Sequence, residues 1–255
     1  MLLAVDVGNT QMLIGLFERD RLEQHWRVST HSARTADELA LIFQGLLTPV
    51  GLSFTRQITG VCISSVVPAV TTSLRDMTER YFRFPPILIE PGIKTGMPIL
   101  IDNPREVGAD RIVNSIAAAE LYGTPAIVVD FGTATNFDVV SANGEYLGGA
   151  IAPGLEVATN ALVSHGAQLR RVEYVAPASV IGKSTVEAIQ SGAVYGHAGL
   201  VDAIVDRIKI EIGGSPVVIA TGGLAPTIAE HSRTIEKYDP WLTLIGLRLV
   251  YERNT

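Results

Sequence analysis

Two short stretches carry the residue types from which phosphate and cation chemistry is built. Asp6-Val-Gly-Asn-Thr10 follows the apolar run Leu2-Leu-Ala-Val5, and Asp130-Phe-Gly-Thr-Ala-Thr135 follows Ala126-Ile-Val-Val129. In each, a carboxylate stands where an apolar run ends, and a glycine two residues on lets the chain turn tightly with its N–H groups exposed. Backbone N–H groups and hydroxyls in such a turn can surround phosphate oxygens. An aspartate beside them would repel phosphate unless a cation lay between, so Asp6 and Asp130 read as a pair that holds metal ions against a nucleotide. The two aspartates stand about half a chain length apart, which points to two related halves sharing a cleft.

The cation is also implied by what is missing. The chain has four lysines (Lys94, Lys183, Lys209 and Lys237), none of them in either turn, and no Gly-x-x-x-x-Gly-Lys-Ser/Thr loop. Backbone amides and bound cations must then offset phosphate charge.

A third stretch, Gly108-Ala-Asp-Arg111, follows a glycine- and proline-rich loop over residues 91–104. Asp110 has two readings. It is a helix-start acid, favoured there by the unpaired N–H groups, or it accepts a proton from a substrate hydroxyl while Arg111 grips a carboxylate. Thr221-Gly-Gly223 likewise fits a close backbone approach to a ligand such as adenosine, or a tight strand-to-helix turn. The first glycines of Gly148-Gly-Ala-Ile-Ala-Pro-Gly154 read as structural. The five histidines show no close metal-ligand spacing. His31, beside a polar loop, and His197, between glycines, are open to a substrate contact, but exposed or hydrogen-bonded bystanders are the preferred reading. No Gly-x-Ser-x-Gly elbow is present.

The elements that must position these groups follow from periodicity. Residues 2–7, 12–17 and 24–28 read as strands of an antiparallel opening, unlike a P-loop unit, where a helix follows the glycine turn directly. Thr35-Ala-Asp-Glu38 is a capping box that starts a helix with Leu39, Ile42, Phe43 and Leu46 on one face. A strand over 58–67, a helix over 71–81, a short strand over 87–89 and a helix from about 107 to 122 complete the first half. Gly123 and Pro125 mark the boundary, giving domains 1–122 and 123–255. The second half restarts with strands over 126–130, 136–141 and 145–151, the tip Asn143-Gly144 being a strong hairpin signal. A helix through 163, an irregular stretch over 166–182, helices over 184–196 and 200–212, a strand from 217 and a last helix over 243–251 follow.

Bulk properties narrow the class. A chain of 255 residues with 47% hydrophobic and 18% charged residues can bury a substantial core. Its net charge of −6 argues against a polyanion-binding surface, and Arg75, Arg80, Arg83 and Arg170-Arg171 read as solvated faces. The single cysteine, Cys62, lies in an apolar run and reads as a small buried hydrophobe of a reducing compartment. No apolar stretch approaches the roughly 20 residues that span a bilayer, and Asp6 interrupts the N-terminal apolar segment too early for a signal peptide. A cytoplasmic protein without membrane or nucleic-acid partners is expected.

Taken together, five ordered motifs (Asp6 to Thr10, Asp102 to Arg111, Val129 to Thr135, Gly148 to Gly154 and Thr221 to Gly223) resemble the acetate kinase–sugar kinase–Hsp70–actin superfamily. More narrowly, the whole chain resembles type III pantothenate kinases, also described as the Bvg accessory factor family. The resemblance implies duplicated ribonuclease H-like (actin-like ATPase) α/β domains, each a mixed five-stranded sheet with flanking helices. It implies ATP-dependent phosphorylation of pantothenate to 4′-phosphopantothenate, the first step of coenzyme A synthesis, by a homodimer that needs K⁺ or NH₄⁺ as well as Mg²⁺. Carried over by residue, Asp6, Val7, Gly8, Asn9, Thr10, Gln11, Met12, Leu13 and Thr133 would contact ATP, and Asp130 would ligate the monovalent ion. Gly108, Ala109, Asp110 and Arg111 would bind pantothenate, with Asp110 as proton acceptor and Thr185 as a further substrate contact. One position departs: Ile101 stands where many members carry a substrate-packing tyrosine. Two other readings are another small-molecule kinase of the superfamily and a non-catalytic regulatory protein that keeps the kinase fold.

Overall fold

The computed structural model describes residues 1–166 and 171–255; Arg170 and part of the stretch read as irregular lie outside the described residues. The first half opens as expected, with three antiparallel strands, β1 (Leu2–Val7), β2 (Gln11–Glu18) and β3 (Arg21–Ser29). Helix α1 (Ala36–Leu47) begins at the capping box, where Thr35 accepts from the Glu38 N–H and Glu38 accepts from the Thr35 N–H. Strand β4 (Gly60–Ser65) then pairs parallel to β1, followed by α2 (Pro68–Met77), one turn of wider helix over Thr78–Phe82, and the short strand β5 (Ile87–Leu88). Spatial order in this sheet is β3-β2-β1-β4-β5. Alternation puts Leu3, Val5 and Ile63 on one face, where they pack with Leu39 and Phe43 of α1 and Leu74 of α2. Arg75 and Arg80 pair at the surface with Glu90 and Asp37.

Helix α3 (Ala109–Tyr122) precedes the second half, which repeats the opening: β6 (Ala126–Phe131), β7 (Ala134–Val140) and β8 (Tyr146–Pro153) are antiparallel. Then come α4 (Leu155–His165), the long α5 (Thr185–Ile212), β9 (Val217–Thr221) parallel to β6, α6 (Ala225–Ala229), β10 (Lys237–Tyr238) and α7 (Leu242–Arg253). The order in this sheet is β10-β9-β6-β7-β8. Both sheets are therefore mixed and five-stranded. They match strand for strand when β1, β2, β3, β4 and β5 are set against β6, β7, β8, β9 and β10.

Three features differ from the linear reading. Helix α5 runs unbroken for 28 residues through Gly192, Gly196 and Gly199. Burial of Val194, Ala198, Val201 and Val205 against the sheet outweighs the helix cost of those glycines, about 1 kcal/mol each. The compact units are also not two continuous halves. One comprises Met1–Gly96, Asn103–Ala117 and Leu242–Thr255; the other comprises Met97–Asp102 and Ala118–Trp241. The last helix joins the first unit because it packs on β1, β2 and β4, and Gly246, lacking a side chain, lets it also lie against the backbone of Val113. Residues 97–102 join the second because they extend its sheet: the Leu100 N–H donates to Tyr146 O at 2.8 Å, and the Tyr146 N–H donates to Pro98 O at 2.8 Å.

Candidate active site

In the first unit, Asp6 lies half-buried near the end of β1, directly across from Leu13 of β2 and Ser64 of β4. The turn that follows is closed by the Gly8 N–H donating to Gln11 O at 3.1 Å. Thr30, just past β3, braces it: its hydroxyl donates to Gly8 O at 2.8 Å and its N–H to Thr10 O at 2.9 Å. Asn9, Thr10 and Gln11 are exposed, so the residues of the turn that carry amide and hydroxyl side chains face solvent. Val7 and Met12 are not presented in this way. Both side chains are buried in the core, so any nucleotide contact from them comes through the backbone. Leu13 is half-buried.

Asp130 holds the same ladder position in the second unit, across from Asn136 of β7 and Thr221 of β9. Its turn is closed by the Gly132 N–H donating to Ala134 O at 2.9 Å, with Thr133 exposed at the tip. Two glycines press against it. The Gly154 N–H donates to Thr133 O at 3.1 Å, and a side chain there would overlap the carbonyls of Gly132 and Thr133. Gly222 sits at φ +92°, and a Cβ there would lie 2.7 Å from Asp130 Oδ1. Between the two readings of Thr221-Gly-Gly223, this approach to Asp130 gives the glycine a structural reason of its own. Behind the turn, the buried Thr135 hydroxyl shares a hydrogen bond of 2.8 Å with His197 Nε2.

The third group also lies in the first unit. Gly108 precedes α3, and Asp110 sits in its first turn with Oδ1 accepting from the Arg111 N–H at 2.9 Å. Burial pushes the Asp110 carboxyl above its ordinary value, against the opposing pull of the Arg111 N–H and guanidinium. A carboxylate so placed is both a helix-start residue and a stronger base than an exposed aspartate, so the two sequence readings are compatible. The loop before it is ordered by Asn103, which accepts from the Arg105 N–H and donates to Glu106 Oε1 at 2.6 Å. Thr185 opens α5 in the second unit, exposed, directly after the capping residue Ser184. Ile101 lies in the segment that extends the second sheet, with its Cγ2 3.3 Å from the position a Gly148 Cβ would take.

Among the described residues no three His, Cys, Asp or Glu side chains gather as a metal cage. Asp130 stands as one carboxylate beside the amide of Asn136 and the hydroxyl of Thr221, oxygen donors of the kind that hard cations take. Two groups escaped the sequence reading. Ser64, fully buried beside Asp6, occupies the place that Thr221 holds beside Asp130; the sequence signal for it is the echo between Val61–Pro68 and Val217–Pro226, each an apolar strand followed by small polar residues and a proline. His197 read as a bystander because nothing local links it to a turn about sixty residues away.

Two matching mixed sheets, each with an aspartate and a glycine turn at the end of its first strand, define the duplicated actin-like ATPase and sugar kinase fold. Solved structures share it: a ROK hexokinase from Thermus thermophilus (TM-score 0.54, 15% identity, 99% of this chain and 98% of the other) and component A of the (R)-2-hydroxyglutaryl-CoA dehydratase of Acidaminococcus fermentans (0.61, 14%, 100% and 99%). A Baf family transcriptional activator from Campylobacter jejuni superposes with a TM-score of 0.62 at 19% identity over 99% of this chain and 98% of that one. The family model for type III pantothenate kinase matches residues 2–207. Type III pantothenate kinases of Streptomyces griseus (58% identical, 100% of this chain, 98% of the relative) and Acidothermus cellulolyticus (56%, 100% and 99%) are similar over their full lengths. The chain belongs to the type III pantothenate kinase family.

Proposed function

We propose that this chain transfers the γ-phosphoryl group of ATP to the primary hydroxyl of pantothenate, forming 4′-phosphopantothenate in the first step of coenzyme A synthesis. The observation that carries the reading is the Asp110–Arg111 pair at the start of α3, in a chain 58% identical to a relative of that name. Arg111 suits the pantothenate carboxylate, because a guanidinium matches a carboxylate in charge and in planar geometry. Asp110, its basicity raised by burial, accepts the hydroxyl proton as that oxygen bonds to the γ-phosphorus and the bond to the β-phosphate oxygen breaks, releasing ADP. Gly108 and Ala109 approach the substrate through their backbone, and Thr185 adds a hydroxyl contact.

The turn from Asp6 to Leu13, together with Thr133, holds the nucleotide phosphates through N–H groups and hydroxyls. Bound K⁺ or NH₄⁺ at Asp130, and Mg²⁺ with the nucleotide, supply the positive charge that a loose phosphoryl-transfer transition state requires. No lysine stands in either turn, which supports this division of labour. A second copy of the chain fits the apolar side chains left exposed on the second unit, Leu147 and Ile151 of β8 and Val157 and Leu162 of α4. The halves 1–122 and 123–255 are read as products of one duplication. The enzyme acts in the cytoplasm; no helix among the described residues is long and apolar enough to cross a membrane.

The test is phosphorylation of pantothenate by the purified chain with ATP, Mg²⁺ and K⁺. Turnover that needs both cations supports the reading. Turnover of a sugar or another alcohol instead would move the chain to a different acceptor class, and nucleotide binding without any turnover would favour a regulatory role.

A further inference from the structure

The geometry points to His197 as a positioning residue for the second acidic turn, acting through Thr135 and Phe131 to fix the backbone that carries Asp130 and Thr133. Phe131 and Thr135 are the ladder pair that closes this turn. Both are buried, and both meet the same imidazole. Thr135 Oγ1 lies 2.8 Å from His197 Nε2, and the Phe131 and His197 ring centroids are 6.1 Å apart. His197 is itself buried, on the sheet-facing side of α5 between Val194 and Val201. A polar ring in that row needs a partner, since an unpaired buried polar group is costly. The Thr135 hydroxyl provides it. Burial also lowers the imidazole below its usual value, which disfavours a charge on the ring.

Of the other braces of this turn, Gly222 acts by close approach, and Gly154 adds one backbone hydrogen bond, to Thr133 O at the tip. The His197–Thr135 bond is the one described side-chain hydrogen bond that ties the turn's closing pair to a helix. A rigid 28-residue helix thereby sets where the turn sits. Ligand-holding backbone tolerates little displacement, so the effect should appear in nucleotide and cation binding before it appears in chemistry.

The inference rests on the proposed roles of Asp130 and Thr133, and it is tested by a measurement that does not need pantothenate. Calorimetric titration with a non-hydrolysable ATP analogue, with and without K⁺, is run on the wild type and on His197→Ala, His197→Gln and Thr135→Val. His197→Ala and Thr135→Val should each weaken K⁺-dependent nucleotide binding by about tenfold, the scale of one buried hydrogen bond left unpaired. The double variant should lose no more than either single one. His197→Gln, whose amide can reach the Nε2 position, should restore most of the affinity. In the kinase assay the KM for ATP and the K⁺ half-saturation should rise, while kcat at saturation stays within about twofold.

Unchanged affinity in both single variants would overturn the inference. So would a matching fall in melting temperature, kcat and affinity that Gln fails to rescue, because that marks a purely structural histidine. If His197→Ala does not fold, the near-isosteric Thr135→Val decides. Wild-type protein that binds the analogue yet leaves pantothenate unphosphorylated would remove the proposed function and leave this inference standing on the calorimetry.

Discussion

The two acidic turns occupy the same lattice position and are held in different ways. Asp6 stands across from Leu13 and Ser64, and Asp130 across from Asn136 and Thr221. The first turn is tied to its neighbouring strand by the half-buried Thr30. The second is enclosed by Gly154, Gly222 and the buried Thr135–His197 pair. Cross-ladder neighbours lie on one face of a sheet, so the surroundings of the two carboxylates differ in kind. Each has a hydroxyl neighbour, Ser64 or Thr221, but the second neighbour is aliphatic Leu13 beside Asp6 and the amide of Asn136 beside Asp130. The backbone ladder survived duplication, and the side chains around it diverged. Under the proposed function, the carboxylate beside an amide and a hydroxyl is the one assigned to the monovalent ion, and the turn braced by Thr30 is the one assigned to the phosphates.

The largest expected effect lies outside both turns. Asp110→Asn should lower kcat by about 10²- to 10⁴-fold, the usual share of a general base. Nucleotide affinity measured by calorimetry should hold, because the turns are untouched; a comparable loss of nucleotide binding would merge the base with the binding turns and break the comparison. The same carboxylate predicts the pH profile. Asp110 must be ionised to accept a proton, and burial raises its pKa. Therefore kcat/KM should fall as pH drops through a value above the ordinary 3.8. An acid limb at or below that value would mean that the Arg111 interactions prevail over burial.

Exchanging the acids one at a time comes next. Asp130→Asn should raise the K⁺ half-saturation by tenfold or more, on the order of one lost charge–ion contact. Asp6→Asn should act mainly on the KM for Mg-ATP. The reverse assignment of the two effects would sink the division of roles. Gly222→Ala should then reproduce Asp130→Asn in weaker form, since its Cβ would press on Asp130 Oδ1 at a backbone φ that disfavours a side chain. Full K⁺ dependence in that variant would show that the enclosure of Asp130 is dispensable. The smallest effect belongs to Thr30→Val, which removes one bond to Gly8 O, worth about 1 kcal/mol, and should raise the KM for ATP only a few-fold. A larger loss there than at Gly222 would invert the ranking of the two turns.

Much of this arrangement is legible in the linear chain because its causes are local. Apolar runs ending in Asp-x-Gly, the capping box at Thr35–Glu38 and the hairpin tip at Asn143-Gly144 depend on a few adjacent residues, and each forms where its pattern stands. Proline and glycine signals were less reliable. The glycines of α5 read as an interruption, yet the helix continues because its buried face compensates for their flexibility. The loop over 91–104 read as one functional segment, whereas its residues 97–102 add to the second sheet at Tyr146 while its remainder belongs to the first unit. Val7 and Met12, carried over as nucleotide contacts, turn their side chains into the core, as strand alternation requires next to Asp6.

By itself the sequence determined the repeated strand-and-turn pattern, the pair of acidic turns, the lack of a lysine in either turn and the Asp110–Arg111 pair, since these are matters of residue type and short spacing. Only the tertiary structure decided that the C-terminal helix completes the first unit and that Gly222 must be bare to admit Asp130. It alone placed His197 behind Thr135 and gave Asp110 the burial that raises its basicity. Each of these depends on desolvation or close approach between residues far apart in the chain, and neither quantity exists until the sheets and helices have packed.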